Sequence, residues 1–350
     1  MPSLAEVLRQ HWPRYKRQFG SAILPSHRRA VQAVLRCRTA ALGGEVYRCL
    51  HCRKDHFVYH SCNHRSCPQC GHADATEWIE RQKLKLLPVP YYLITFTVPE
   101  GLRGWLRSNQ RNGYALLLKE SAGALQDVAR REKYLGGELG ILSVLHTWGR
   151  QLQFHPHVHC VVPGGALRGD GLRWCRPPSP DFFLPQVVLA ARFRTRIRQA
   201  LRDAEVEAAV WKQDWVVDVQ PVGSGEAIVK YLSAYVYRTA LGSQRIIEDR
   251  DGQITFKYKD TQTRQWRRLT LPAMEFIRRF LQHVLPQGFQ RVRYYGWLSA
   301  AATAKWQRIL ALLDWPAPQP KAPPLSHPPA LCPNCGQTLY WIAHLGRGPP

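Results

Sequence analysis

The sequence lacks any apolar run that approaches the ~20 residues needed to cross a membrane, and it lacks the pattern of a secretory signal peptide. Its start instead predicts a short amphipathic helix that begins at Ser3. These absences argue against a membrane-spanning class, and we expect a cytoplasmic protein. The sequence has ten cysteines, and two Cys-x-x-Cys spacings together with a reducing compartment argue for zinc binding rather than disulfides.

Acidic residues are also scarce. Lys and Arg together number 49 against 25 Asp and Glu, which gives a formal net charge of +24. A basic excess that is spread over the chain and interleaved with aromatic residues is typical of nucleic-acid binding, although a merely basic soluble protein is the alternative. The 350 residues exceed the usual size of one domain, and we expect a folded protein with DNA as its partner.

A cysteine-rich segment near the N-terminus has the spacing of a zinc site. Two Cys-x-x-Cys pairs, Cys49 with Cys52 and Cys67 with Cys70, can each supply two ligands to one tetrahedral ion. We predict that these four cysteines hold a structural zinc ion in a DNA-gripping domain of residues 1–88. Further donors nearby leave a second ion or an exchanged ligand open: Cys37, His56, His60, Cys62, His64 and His72. Buried free cysteines are the alternative.

Three histidines lie on one predicted β-strand. Alternate side chains of a strand point the same way, so His155, His157 and His159 share a face. Imidazole is a common ligand of transition metals, and we predict that this face binds a catalytic divalent ion. Gln153, His155 and His146 on the preceding predicted strand are all candidates for the third ligand. The alternative is that the histidines are merely packed or exposed at the surface.

Two tyrosines follow on a predicted helix. Tyr231 and Tyr235 are four residues apart and therefore project from nearly the same face. A phenol is a weak nucleophile until it is activated, for which Lys230 or a metal ion is available. Alone, such a pair usually packs in a core. Combined with a metal-binding strand, it is suited to cutting DNA without ATP, because the cation polarises the phosphate that the tyrosine oxygen attacks.

These motifs, in this order, resemble the two-tyrosine HUH transposases of the insertion sequence 91 family. The resemblance rests on residues 59–62, 67–70, 93–99, 155–160 and 230–235. It implies that His157-Val158-His159 is the HUH metal motif, with His155 just outside it, and that Tyr231 and Tyr235 are the nucleophiles. It also implies Mg²⁺ or Mn²⁺ as cofactor and rolling-circle transposition through single-stranded DNA, with a 5′-phosphotyrosine intermediate.

The order of predicted strands and helices over residues 89–300 indicates an α+β domain with a central antiparallel sheet flanked by helices. We expect this region to be the HUH nuclease domain, preceded by the helical zinc-binding domain. Near its end, Arg291 and Arg293 alternate with aromatic residues, and with Lys230 we predict that they bind single-stranded DNA.

Residues 301–350 are predicted to be a proline-rich linker and a tail. Seven prolines fall within residues 316–329, which predicts an extended segment. Beyond it lies a single pair, Cys332 and Cys335. One pair is half of a zinc site, so it needs His344, a partner elsewhere or no metal at all, and we leave it unassigned.

The expected function is therefore that of a transposase that cleaves and rejoins single-stranded DNA at insertion-sequence ends. A plasmid replication initiator or relaxase with the same chemistry is one alternative. A zinc-dependent DNA-binding regulator without catalysis, in which the histidines and tyrosines are packing residues, is the other.

Overall fold

The computed structural model describes residues 1–70, 72–227, 229, 239–260, 262–317 and 330–348. The helices are α1 (Leu4–Phe19), α2 (Pro25–Arg36), α3 (His72–Lys83), α4 (Glu100–Ser108), α5 (Gln110–Ala129), α6 (Gln186–Ala200), α7 (Ala273–Leu281) and α8 (Thr303–Leu312). The strands are β1 (Gly44–Cys49), β2 (Asp55–Tyr59), β3 (Tyr91–Thr97), β4 (Gly137–Glu138), β5 (Gly140–Trp148), β6 (Phe154–Pro163), β7 (Ala166–Arg168), β8 (Trp174–Cys175), β9 (Val216–Gly223), β10 (Ile246–Arg250), β11 (Gln253–Lys259), β12 (Trp266–Pro272), β13 (Val292–Gly296) and β14 (Leu339–Leu345).

The chain divides into two units that are each discontinuous in sequence. The first takes its described residues from 1–74, 237–284 and 320–350, and the second from 75–236 and 285–319. These units differ from the three consecutive segments that composition suggested, because β14 pairs with β1 and so brings the tail to the N-terminal region. Within the described residues, no helix is long and apolar enough to cross a membrane.

In the first unit, α1 begins at Leu4, directly after the predicted start, and Ser3 is its N-terminal cap. Ser3 and Glu6 form a capping box in which each backbone N–H donates to the other side chain. The first unit also contains a small antiparallel sheet with the strand order β14–β1–β2. A second sheet has the order β10–β11–β12, and its first hairpin turns at Asp251 and Gly252, both with positive φ, as the Asp-Gly pair predicts.

The second unit contains the predicted central antiparallel sheet, with the strand order β13–β5–β6–β3–β9. One face of this sheet, the helical face, packs on α4, α5 and α6. Side chains at alternate positions of the strands, such as Phe96, Leu145 and Val158, are buried there. The remaining alternate positions form the opposite face, which carries the histidines and is called the histidine face below.

An ion-pair network that includes the buried side chain of Glu120 joins α5 to α6. Arg196 donates to Glu120 at 2.7 Å and to Asp127 at 2.7 Å, while Arg192 also donates to Asp127. These guanidinium groups lower the pKa of the Asp127 carboxyl against the opposing effect of its burial. Arg192 and Arg196 therefore hold α5 and α6 together. Arginines on a helix would also suit a surface that faces phosphate groups, but these two donate to carboxylates of α5.

Candidate functional site

Three histidines converge on the histidine face of the central sheet. His146 of β5 pairs directly with His157 of β6, and His159 lies two residues further along the same strand. Directly paired residues of antiparallel strands point to the same side. One donor atom from each of His146, His157 and His159 lies within 4.8 Å of the other two. Of the three candidates for the third ligand, His146 thus joins the pair, whereas His155 lies outside the cluster of donor atoms.

Hydrogen bonds orient two of these rings. Nδ1 of His157 donates to the carbonyl oxygen of His155 at 2.7 Å. Nδ1 of His159 lies 3.0 Å from the hydroxyl oxygen of Thr95, the residue that pairs with it on β3. Because Nδ1 is engaged in both rings, Nε2 is the atom of each ring that could bind a metal ion. A hydrogen-bond partner on the ring nitrogen that does not bind the metal is the usual support of a metal-bound histidine.

Burial keeps these imidazoles neutral. It lowers the pKa of His157 to about 4 and that of His159 to about 3, since a buried imidazolium loses its hydration. Burial also lowers the pKa of His155. A neutral ring is the form that binds a metal ion, so at neutral pH no proton has to leave His157 or His159 before an ion can bind.

An acidic side chain lies on the same face. Asp218 of β9 pairs with Thr95, which in turn pairs with His159, so the three residues form one row across the sheet. The amide of Gln220 donates to the Asp218 carboxylate at 2.6 Å. The histidine face therefore presents nitrogen ligands in its middle strands and a carboxylate on its edge strand.

A small cavity also opens on the histidine face. Its lining includes Leu142, Val161 and Tyr91, which occupy strand positions on this face, together with Val229. Val229 therefore lies against the histidine face, and in the sequence it comes two residues before Tyr231. Lys230, Tyr231 and Tyr235 themselves lie outside the described residues.

The two predicted DNA-binding arginines are not brought to the histidines. Arg293 of β13 pairs with Ser143, a position of the helical face. Its guanidinium carbon lies 5.5 Å from the centroid of the Phe289 ring. Arg291 precedes β13, where its carbonyl oxygen accepts from the N–H of Leu145 at 2.9 Å. Binding of single-stranded DNA by Arg291 and Arg293 therefore stays a prediction.

The structure separates the four cysteines that were predicted to form one zinc site. Cys67 and Cys70 lie with Cys37 and Cys62, and we call this group the N-terminal cysteine cluster. Cys49 and Cys52 lie instead with Cys332 and Cys335 of the tail, which we call the tail cysteine cluster. The predicted set of four ligands was therefore wrong. Pairing of β14 with β1 brings Cys332 and Cys335 to Cys49 and Cys52.

Both clusters have the dimensions of a zinc site. In the N-terminal cysteine cluster, the sulfur of Cys70 lies 3.4 Å from that of Cys37 and 3.5 Å from that of Cys62. Four thiolates at the usual Zn–S distance of about 2.3 Å would lie about 3.8 Å apart. Hydrogen bonding to neighbouring thiols, chiefly Cys67, lowers the pKa of Cys62 to about 5. Cys62 therefore favours the thiolate form that zinc binds, whereas the same hydrogen bond raises the pKa of Cys67 and burial raises that of Cys37 to about 11.

Sequence reasoning missed two residues of the histidine face: Thr95, which lies within hydrogen-bond distance of His159, and Asp218, which pairs with Thr95. The signal for Thr95 was present, since the β-branched and aromatic run of residues 91–99 is typical of a strand, in which Thr95 alternates with Ile94 and Phe96 and so belongs to the opposite face. Asp218 becomes visible only once the order of strands in the sheet is known, because β9 is distant from β6 in sequence.

Comparisons with known proteins agree with this arrangement. Residues 140–305 match the family described as "Putative transposase", and residues 7–98 match the family described as "Transposase zinc-binding domain". The first match includes all three clustered histidines, and the second includes the whole N-terminal cysteine cluster. No solved structure matches the chain.

Two curated relatives are similar over most of their length. "Putative transposase y4qJ" of Sinorhizobium fredii is 36% identical over 323 residues, which cover 85% of this chain and 80% of the relative. The transposase for insertion sequence element IS801 of Pseudomonas savastanoi pv. phaseolicola is 27% identical over 344 residues, which cover 89% of this chain and 82% of the relative. A transposase acts on DNA, which agrees with the strongly basic composition. The chain therefore belongs to the transposases of the insertion sequence 91 family and carries their zinc-binding domain.

Proposed function

We propose that this transposase cleaves and rejoins single-stranded DNA at insertion-sequence ends, through 5′-phosphotyrosine links made by Tyr231 and Tyr235. The observation that carries the proposal is the convergence of His146, His157 and His159 on one face of the central sheet. A site with three protein ligands leaves coordination positions open for a substrate oxygen, whereas a purely structural site would be closed.

The donor chemistry supports a choice of cofactor. Imidazole nitrogen suits Mn²⁺ better than Mg²⁺, which prefers oxygen ligands, and the carboxylate of Asp218 lies on the same face. We therefore propose Mn²⁺ or Mg²⁺, with tighter binding of Mn²⁺. When bound, the ion would polarise the scissile phosphate and stabilise the charge that develops on it.

The chain's own residues perform the remaining work. His157 and His159 are held in place by the carbonyl oxygen of His155 and the hydroxyl of Thr95, so little reorientation is needed when the site forms. The phenolic oxygen of one tyrosine attacks phosphorus, the bond from phosphorus to the 3′ oxygen breaks, and that oxygen leaves as a hydroxyl after taking a proton. The reverse attack by a 3′ hydroxyl rejoins DNA and restores the tyrosine.

The position of Val229 supports the choice of nucleophile. It lines the cavity on the histidine face together with Val161, which is two residues beyond His159 on the same strand. Tyr231 follows Val229 by two residues in the sequence and Tyr235 by six. A helix that begins beside the histidine face and carries both tyrosines is the arrangement that the proposal requires.

The test is capture of a covalent adduct. Purified protein is incubated with labelled single-stranded DNA from an end of its own element and with Mn²⁺, and a protein–DNA adduct that survives denaturation is mapped by mass spectrometry. We expect the adduct at Tyr231 or Tyr235, and its loss in the double Phe variant and in His157→Ala. Tight binding without an adduct would favour the non-catalytic regulator, and an adduct in the double Phe variant would refute the assigned nucleophiles.

A further inference from the structure

We propose that the tail cysteine cluster binds a second zinc ion, and that this ion fastens the C-terminal tail to the first sheet. The ligands are Cys49 and Cys52 from the N-terminal region and Cys332 and Cys335 from the tail. The matched zinc-binding region ends at residue 98, so it contains only half of this site.

The sulfur positions suit a tetrahedral ion. The sulfur of Cys49 lies 3.5 Å from that of Cys335, and the sulfur of Cys52 lies 3.7 Å from that of Cys332. These separations are close to the edge of about 3.8 Å of a tetrahedron with four Zn–S bonds. They are far longer than the roughly 2.05 Å of a disulfide bond. The four thiols are therefore arranged as ligands of one central ion.

The two cysteine pairs also lie on turns of the same kind. The N–H of Cys49 donates to the carbonyl oxygen of Lys54 at 3.0 Å, and the N–H of Cys332 donates to that of Gln337 at 2.7 Å. In each turn the residue after the second cysteine, Arg53 or Gly336, has a positive φ of 55° or 74°. Two matching turns that face each other across one ion are the arrangement of a zinc ribbon, here assembled from segments far apart in sequence.

Strand pairing brings the two turns together. β14 pairs with β1 along its length, from Gly44 opposite Leu345 to Cys49 opposite Leu339. An isolated bridge between Leu331 and Thr338 continues the tail hairpin up to its cysteine turn. Hydrogen bonds of the backbone thus set the register that positions the sulfur atoms, and the ion locks that register.

A neighbouring histidine supports the tail side of the site. Nε2 of His56 on β2 lies 3.3 Å from the sulfur of Cys332. A ring N–H that donates to a metal-bound thiolate spreads its negative charge and strengthens the site, as partners beyond the direct ligands commonly do. Among the spare donors that the sequence offers, His56 is thus given a supporting role.

Zinc content tests the proposal. Full-length protein and its C332S/C335S variant are purified alike, and bound zinc is counted by elemental analysis, with Cys175→Ser as a matched control from outside both clusters. We expect the double variant to lose one zinc ion per chain and the control to lose none. Equal zinc content in the double variant and the wild-type protein would overturn the proposal.

A second measurement needs no variant. The wild-type protein is treated with a thiol-alkylating reagent, with and without prior removal of metal by a chelator, and each cysteine is followed by mass spectrometry. Bound zinc protects thiolate ligands, so Cys332 and Cys335 should react slowly before chelation and quickly after it. Rates at these two residues that chelation leaves unchanged would contradict the second site, even if the double variant fails to fold.

Discussion

Nδ1 of His157 donates to the backbone carbonyl oxygen of His155 at 2.7 Å, so His155 contributes to the site through its main chain. His146, His157 and His159 each place one donor atom within 4.8 Å of the other two, and His155 is not among them. The backbone carbonyl of His155 remains when its side chain is replaced. Replacing the side chain of His146 instead removes one of the clustered donor atoms.

Replacing His146 should therefore weaken metal binding, and replacing His155 should not. We expect His146→Ala to lower Mn²⁺ affinity at least tenfold, because a direct ligand is lost, while His155→Ala stays within about threefold of the wild type. Titration of Mn²⁺ followed by electron paramagnetic resonance measures both. The reverse ranking would make His155 the third ligand.

The hydroxyl of Thr95 should matter although it does not bind the metal. Thr95→Val keeps the shape of the side chain but removes the partner of Nδ1 of His159, and we expect Mn²⁺ affinity to fall roughly tenfold. Thr97→Val is the matched control, since Thr97 pairs with His157 on the same strand and face. Equal effects of the two substitutions would show that the hydroxyl of Thr95 has no specific role.

Metal binding should resist mild acid. For two histidines with the ordinary pKa near 6.5, proton competition weakens binding about 100-fold between pH 7.5 and pH 5.5. Burial lowers the pKa of His157 to about 4 and of His159 to about 3, so both stay neutral over this range and add no competition. We expect Mn²⁺ affinity to fall less than about tenfold, measured in one buffer series. A 100-fold loss would mean that both rings titrate normally.

The ion pairs between α5 and α6 predict a stability effect. Arg196→Met leaves the Glu120 carboxylate, whose side chain is only 7% exposed, without this partner. We expect the free energy of unfolding in urea to fall by about 3 kcal/mol, as for other broken buried ion pairs. Arg194→Met, on an exposed position of the same helix, should change it by less than about 0.5 kcal/mol.

A double variant separates charge from packing in that network. Adding Glu120→Gln to Arg196→Met removes the buried charge, so part of the lost stability should return. If the double variant is as unstable as the sum of the two single variants, the arginine acts through packing alone.

Local patterns in the sequence predicted the sheet that carries the site. β-branched and aromatic runs identified β3 and β5, and the alternation of His155, His157 and His159 identified β6 and its polar face. His146 was left open because a lone histidine in an apolar strand is ambiguous until the register with its neighbour is known. The register comes from hydrogen bonds between strands, which the sequence of one strand does not contain.

The cysteines show where such reasoning ends. Nearness in sequence favoured a site made of Cys49, Cys52, Cys67 and Cys70, because ligands that are close along the chain meet at the smallest entropic cost. The structure instead pairs Cys49 with a residue 286 positions away. Strand pairing offsets the cost of closing that loop, and composition alone could not reveal which strand the tail would join.

This pairing also imposes an order on biosynthesis. Cys49 leaves the ribosome 286 residues before Cys335, an interval of about 15–60 s at translation rates of about 5–20 residues per second. During that time β1 can pair with β2, but it lacks β14 and its turn lacks the tail cysteines, while the central sheet is already being made. The N-terminal region is thus completed last, and a chain released before its tail is translated can never finish the fold with which it began.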